Sequence, residues 1–486
     1  MSLLERLEKQ KASAQAQSAQ PDRLSQPDRL SQPDRPAQPD RPAQPDRPAQ
    51  PDRLSQPAPM AASLTSDENV KLKEKVHGEI IELINSEASS GTFNSEDFQG
   101  DYMKNAIETL LDSSGVSVSR AERTQLIKDI YNDVVGLGPL EPLLEDPSIT
   151  EIMVNGPNNV YVERKGRLDL TSVVFKNNEH VLNVINRIVS TVGRRIDESS
   201  PMVDARLLDG SRVNAIIPPI ALTGPTITIR KFSKNPLTVS DLVQYASVSP
   251  KMMSFLEACV KGKLNMIVSG GTGSGKTTLL NVLSGYIPNT ERIVTIEDAA
   301  ELQLRQNHVV TLESRPANAE GTGQISIRDL VRNALRMRPD RIVVGEVRSG
   351  ETLDMLQAMN TGHEGSLTTA HANTPRDLLS RLETMVLMSG MEIPMKAIRE
   401  QISSALDVIV QQARMRDGSR KIINITEVVG MEGDTITLQD LFVYKPEGLD
   451  AQGRLTGTFW STGIRPGFTD KLADSGILVR DDWFSN

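Results

Sequence analysis

Cysteine is almost missing from this chain. Cys259 is the only one, which rules out an intramolecular disulfide and a cysteine-ligated zinc site. Its neighbours Phe255, Leu256 and Val260 mark it as a packed residue on a buried helix face. Aromatic residues make up 3% of the 486, leaving few rings on which single-stranded bases could stack. The net charge is -9, the opposite of the basic excess that nucleic-acid binding needs, so no nucleic-acid partner is expected. No stretch approaches the roughly 18 consecutive apolar residues of a membrane span, so no transmembrane segment is expected. The opening MSLLERLEKQ lacks the apolar core and cleavage site of a secretory signal. Together these absences predict a cytoplasmic protein, and its length predicts two or three globular units plus appendages.

What is present divides into five stretches. Residues 1–62 are expected to be disordered, because they carry a hexapeptide repeat with nothing to bury. QPDRLS occurs at 20–25, 26–31 and 50–55, and QPDRPA at 32–37, 38–43 and 44–49. Proline recurs in every repeat while Asp and Arg cancel each other's charge. From 63 to 142 the apolar period is helical: Val76, Ile80, Ile81 and Ile84, then Ala106, Ile107, Leu110 and Leu111, then Leu126, Ile127, Ile130, Val134 and Val135. Gly91, Gly115 and the Gly136–Pro139 stretch punctuate these runs, which predicts a three-helix bundle.

Residues 143–235 mix short strands (Ile149–Val154, Val160–Glu163, Ser172–Phe175, Arg212–Ile217, Thr226–Lys231) with a helix near 178–193, an α+β domain. Pro236 begins a linker, and Pro250 a helix to about Lys261. Within 236–445, apolar runs at Met266–Val268, Ile293–Ile296, Val309–Leu312, Ile342–Val344 and Leu367–Thr369 alternate with helical patterns. Buried parallel strands of an α/β domain read this way. The extension 446–486, with several glycines and a thin apolar pattern, is expected to pack loosely.

The strongest chemical signal is Gly270-Gly271-Thr272-Gly273-Ser274-Gly275-Lys276-Thr277-Thr278, between a predicted strand and a predicted helix. Glycines there let several amide N–H groups converge on phosphate oxygens. Lys276 would reach the β- and γ-phosphates of ATP and the Thr277 hydroxyl would ligate Mg²⁺. Such a loop needs an acidic partner to hold Mg²⁺ and position the attacking water. Two strands end in acids, Ile293–Ile296 before Glu297-Asp298 and Arg341–Val344 before Gly345-Glu346. Two of the five histidines, His363 and His371, flank the strand Leu367–Thr369, which suggests a sensor of the γ-phosphate. Zinc is not expected there, since no third ligand has suitable spacing. Arg194, Arg195, Arg206, Arg212 and Arg230 of the α+β domain are candidates for neutralising phosphate charge.

TIEDAAEL, RIVVGEVR and GHEGSLTTAHAN follow the phosphate loop in that order, with DARLLDGSRVNAIIPPIALTGPTITIRKF upstream. This set resembles the secretion ATPases of type II and type IV secretion and type IV pili, over about residues 64–470. The nearest branch is the CpaF/TadA type that assembles tight-adherence (Tad) pili. The resemblance implies a RecA-like ATPase domain preceded by a PAS-like α+β domain, in a homohexamer. It implies a motor acting through inner-membrane pilus platform proteins and, indirectly, on pilin subunits. Lys276 and Thr277 would serve the phosphates and Mg²⁺, and Glu297 would polarise water. Glu346 would take the Walker B role, and His363 and His371 would form the His box. Arg206, Arg212 and Arg230 match basic positions facing the nucleotide, one of them acting in trans. The box Glu297-Asp298-Ala299-Ala300-Glu301 departs from the Glu-Asp-Pro-hydrophobic-Glu of many pilus motors. A single cysteine excludes the four-cysteine zinc site of many type II and type IVa enzymes and favours the Tad and type IV secretion side. Alternatives on the same core are a conjugation-linked type IV secretion ATPase, a nucleic-acid motor, or a nucleotide-sensing scaffold.

Overall fold

The computed structural model describes residues 66–89, 101–116, 118–164, 166–232, 236–317 and 321–485. The hexapeptide repeat lies outside them. Three helices come first, Ser66–Ser89, Asp101–Ser113 and Arg120–Val134. They meet through Leu72, Val76, Ile80, Met103, Ile107, Leu111, Leu126 and Ile130. Leu72, Val76 and Ile80 recur every fourth residue, so they form one stripe and Ile81 falls beside it, 42% exposed. Ser119 starts the third helix, its side chain and that of Glu122 satisfying each other's backbone N–H groups.

A six-stranded antiparallel sheet follows, built from β1 (Ile149–Asn155), β2 (Val160–Arg164), β3 (Arg167–Leu170), β4 (Met202–Arg206), β5 (Arg212–Ile216) and β6 (Thr226–Arg230). Its order is β3-β2-β1-β6-β5-β4. The helix Asn178–Thr191 covers one face with Val181, Val184, Ile185, Ile188 and Val189. The third strand is not at Ser172–Phe175, as the alternation suggested. Gly166 turns the chain at φ +79°, and Arg167 pairs with Arg164 at once. Phe175 is buried in the core beyond the strand's end. β4 escaped the sequence reading because only Val203 of its five residues is buried.

Within the expected linker, Thr238 caps a short helix, Val239–Gln244; the helix Pro250–Lys261 follows. The second sheet holds nine strands among the described residues: β7 (Met266–Gly270), β8 (Ile293–Glu297), β9 (Val309–Glu313), β10 (Arg341–Val344), β11 (Leu367–Ala370), β12 (Val408–Arg414), β13 (Arg420–Glu432), β14 (Thr435–Leu449) and β15 (Leu455–Ser461). The order is β15-β14-β13-β12-β7-β11-β10-β8-β9. From β12 to β9 every pairing is parallel. Every residue of β7, β8, β10 and β11 is buried, as expected of strands covered on both faces. β11 separates β7 from β10, so the carboxyl ends of β7, β11, β10 and β8 form one row, where an open α/β sheet presents its ligand crevice.

The segment beyond 445 is not loosely packed. β14 continues to Leu449 and pairs with β15, and Leu472, Trp483 and Phe484 enter the core around Phe255. Its apolar residues are few in sequence, but Leu472, Trp483 and Phe484 are buried and Phe459, Phe468, Ile477 and Val479 pack against the same core. No helix among the described residues is long and apolar enough to cross a membrane.

Candidate active site

β7 ends at Gly270, and the helix Lys276–Ser284 begins six residues on. Gly273 and Gly275 hold φ of +69° and +95°, left-handed values that a side chain would strain. A Cβ on Gly270 would collide with the Gln412 carbonyl oxygen of β12. The loop is therefore curled tightly against its neighbour strand. Lys276 starts the helix and points back over it, its Nζ donating to the Gly271 carbonyl at 3.2 Å. Burial is the main cause that lowers the Lys276 pKa; Glu346 opposes it, and Arg348 and Arg381 add to the lowering.

Lys276 opens a chain of polar contacts along the row of strand ends. Its Nζ lies 3.3 Å from His371 Nε2, which lies 3.2 Å from Glu346 Oε1. Glu346 Oε2 accepts from Arg348 Nε at 2.7 Å, and Arg348 reaches Asp298 at 3.4 Å. His371 is held below the usual imidazole range, first by burial and then by the Lys276 charge, against the pull of Glu346. Its neutral ring accepts from Lys276, which leaves Glu346 Oε1 buried without a donor. The Ser274 hydroxyl is likewise buried with no partner.

Two of the expected site residues stand elsewhere. β11 runs parallel to β7 with Ala370 opposite Ser269, so His371 emerges beside the phosphate loop. His363 precedes the same strand, at the opposite edge of the sheet, about 13 Å of strand away. It cannot share a phosphate with His371. Glu297 is buried and turned into its own loop, where its carboxylate accepts from the Glu301 amide at 3.0 Å and the Leu302 amide at 3.2 Å. A Cβ on Gly345 would lie 2.8 Å from Glu297 Cγ, so the two strand ends interlock. Burial pushes the Glu297 carboxyl up to about 7, against those two amides. It organises the loop rather than facing Lys276.

That loop carries Glu301 into a cavity of about 300 Å³ lined also by Thr277, Thr278, Arg206, Arg212 and Arg230. Arg206 pairs with Glu313 at 2.7 Å, Arg212 faces Asp204 at 3.9 Å, and Arg230 pairs with Glu151 at 2.9 Å and Glu301 at 3.8 Å. These three arginines thus border the same cavity as the phosphate-loop threonines within one chain. Sequence reasoning passed over Arg348, although it stands two residues beyond Glu346 in the same RIVVGEVR run. It also passed over Arg420, whose Nε donates to the Gly273 carbonyl at 3.3 Å. Arg420 comes from the start of β13, and no local pattern connects it to the loop.

Residues 133–455 match the profile of the Type II/IV secretion system protein family. The chain belongs to this family. Over 313 residues it is 37% identical to a putative conjugal transfer protein of Mycobacterium tuberculosis, covering 63% of this chain and 88% of that one. Over 301 residues it is 35% identical to the type IV secretion system protein VirB11 of Brucella abortus, covering 56% and 83%. The solved structure of the VirB11 ATPase from the Brucella suis type IV secretion system is 31% identical, covering 59% and 94%, with a TM-score of 0.33. With its family the chain is an ATPase, its fold is mixed α/β, and ATP is what it uses.

Proposed function

We propose that the chain is a cytoplasmic homohexameric motor that hydrolyses ATP to assemble tight-adherence or type IV pili through an inner-membrane platform protein. The observation that carries the hydrolytic half is the row of neighbouring groups Lys276, His371, Glu346 and Arg348 across the strand ends. In this reading the amides of Gly271–Thr277 and the Lys276 ammonium bind the phosphates, and Arg206, Arg212 and Arg230, which border the same cavity, neutralise the charge that develops on them. No group of three or more His, Cys, Asp or Glu side chains among the described residues could hold a metal alone. A cation held by Thr277 and Glu346 would take its remaining ligands from phosphate oxygens and water. The donor set suits Mg²⁺ on that footing: the Thr277 hydroxyl borders the cavity, and Glu346 Oε1 is a buried carboxylate oxygen without a donor. When bound, Mg²⁺ would offset charge between the β- and γ-phosphates. His371 accepts from Lys276 and stands 3.2 Å from Glu346 Oε1, leaving that oxygen to a cation.

The acidic charge balance and the few aromatic residues support the pilus branch over a nucleic-acid motor, while the single cysteine fits the Tad and type IV secretion sides alike. A second reading, a conjugal or type IV secretion ATPase, has the names of the relatives at 37% and 35% identity in its favour. Cells carrying Lys276→Ala or Glu346→Gln separate the two. The pilus reading expects loss of surface filaments by fluorescence microscopy with DNA transfer untouched. Intact filaments with abolished DNA or effector transfer would replace it with the second.

A further inference from the structure

Beside the phosphate-loop cavity is a larger one of about 570 Å³, and no residue of the phosphate loop lines it. Five guanidiniums do: Arg194, Arg206 and Arg212 from the antiparallel sheet and its approach, and Arg315 and Arg348 from the ATPase domain. Four carboxylates share the wall, Asp204, Asp298, Glu313 and Glu351. Three of them are matched: Glu313 with Arg206, Asp298 with Arg348, and Asp204 with Arg212. The fourth, Glu351, is committed to the backbone amides of Arg348 and Ser349, at 2.6 and 2.8 Å. Arg194 and Arg315 have no carboxylate partner among the described residues. Arg194 donates to the Asp204 carbonyl and Arg315 to the Gly323 carbonyl. Five guanidiniums against four carboxylates leave the wall one positive charge in excess, on a chain of net charge -9.

Its position gives that charge a use. Arg206 and Arg212 border both cavities. Arg348 holds Glu346 with one edge of its guanidinium and Asp298 with another, so it stands between the lysine network and the larger space. The outer wall, with Asp298, Arg315, Pro316 and Gln324, is exposed to solvent.

We propose that this second cavity receives the inorganic phosphate released by hydrolysis and conducts it to solvent, away from the nucleotide's own route. The inference rests on ATP being hydrolysed at the Lys276 site, where ATP and water give ADP, orthophosphate and a proton. An orthophosphate there passes from Lys276 and Arg348 to Arg206 and Arg212, then to the uncompensated Arg194 and Arg315. Each transfer exchanges one charge-assisted hydrogen bond for another.

The test titrates inorganic phosphate into the full chain by calorimetry, with and without ADP, for the wild type, Arg194→Gln/Arg315→Gln and Arg194→Lys/Arg315→Lys. The wild type should bind phosphate, and the glutamine pair should bind it about tenfold more weakly, the equivalent of one charged hydrogen bond. The lysine pair should stay close to the wild type, which also controls for misfolding. ADP affinity should remain within about twofold in all three. Equal phosphate affinity in the wild type and the glutamine pair would overturn the proposal, as would a matching loss of ADP affinity, which would assign these arginines to the nucleotide. ADP binding in the same samples examines the ATPase-site reading separately. A wild type that binds phosphate but not ADP would count against that reading and leave the pocket standing.

Discussion

At His371 one nitrogen faces two partners of opposite charge. Nε2 can accept from Lys276 or donate to Glu346, but a single lone pair or proton cannot serve both at once. Burial and the Lys276 charge favour the neutral ring, so near pH 7 the lysine is the partner and Glu346 is available to a ligand. Acid reverses this: the protonated ring donates to Glu346 and repels Lys276. ATPase activity is therefore expected to fall on an acid limb centred below the usual imidazole range, measured as kcat/KM against pH. In His371→Gln that limb should vanish, and the remaining rate should be lower by about 10² if orientation of the Lys276–Glu346 pair is what the ring supplies. A limb that survives the substitution would assign it to another group.

Among the elements, β10 shows how a strand edge is fixed. Arg341 begins it with no exposure at all, held by Glu291 at 2.5 Å and by the Gly365 carbonyl at 3.0 Å. Gly365 has φ +77° and lies so close to this guanidinium that a Cβ would collide with it. Glu291→Ala leaves a buried, unpaired guanidinium, so chemical denaturation should report a loss of about 3 to 5 kcal/mol. Less than about 1 kcal/mol would mean that water reaches the site. β7, β8, β10 and β11 were legible in sequence because strands buried on both faces read as short, mainly apolar runs, with Ser269, Thr295, Arg341, Thr368 and Thr369 among the buried exceptions. β4 was not, since it offers one buried residue in five. The phosphate loop could be read because its chemistry lies within nine consecutive residues. His363 and His371 could not be told apart by pattern, because strand direction alone puts them at opposite edges. Nor could Glu297 be seen to turn inward, since that depends on where the amides of Glu301 and Leu302 come to rest.

Across the whole molecule, the last residues of the chain close the core beneath the phosphate-loop strand. Phe255 meets Phe442, Trp483 and Phe484 at ring-centroid distances of 5.4, 6.1 and 5.7 Å. Trp483→Ala should cost about 3 to 5 kcal/mol by denaturant unfolding, a core penalty that a loosely attached tail would not show. The antiparallel sheet meets the nine-stranded sheet's connections over the loop that Glu297 anchors. Arg206 donates to the Ala300 carbonyl at 3.4 Å and pairs with Glu313, while Arg230 faces Glu301. The carboxyl that fixes this loop has its folded pKa raised from an ordinary 4.5 to about 7, so the folded chain holds a proton that the unfolded chain gives up. The stability tied to that proton is fully present below pH 4.5 and is lost as pH rises through 7. The difference amounts to about 3 kcal/mol. Glu297→Gln keeps an oxygen for the two amides and has no proton to lose. Measured by denaturation from pH 5 to 8, the wild type should therefore lose stability relative to Glu297→Gln as pH increases, with a slope of one proton that flattens above about pH 7. Parallel curves would mean that solvent reaches the carboxyl, and the loop would then owe its position to Arg206 and Arg230 instead.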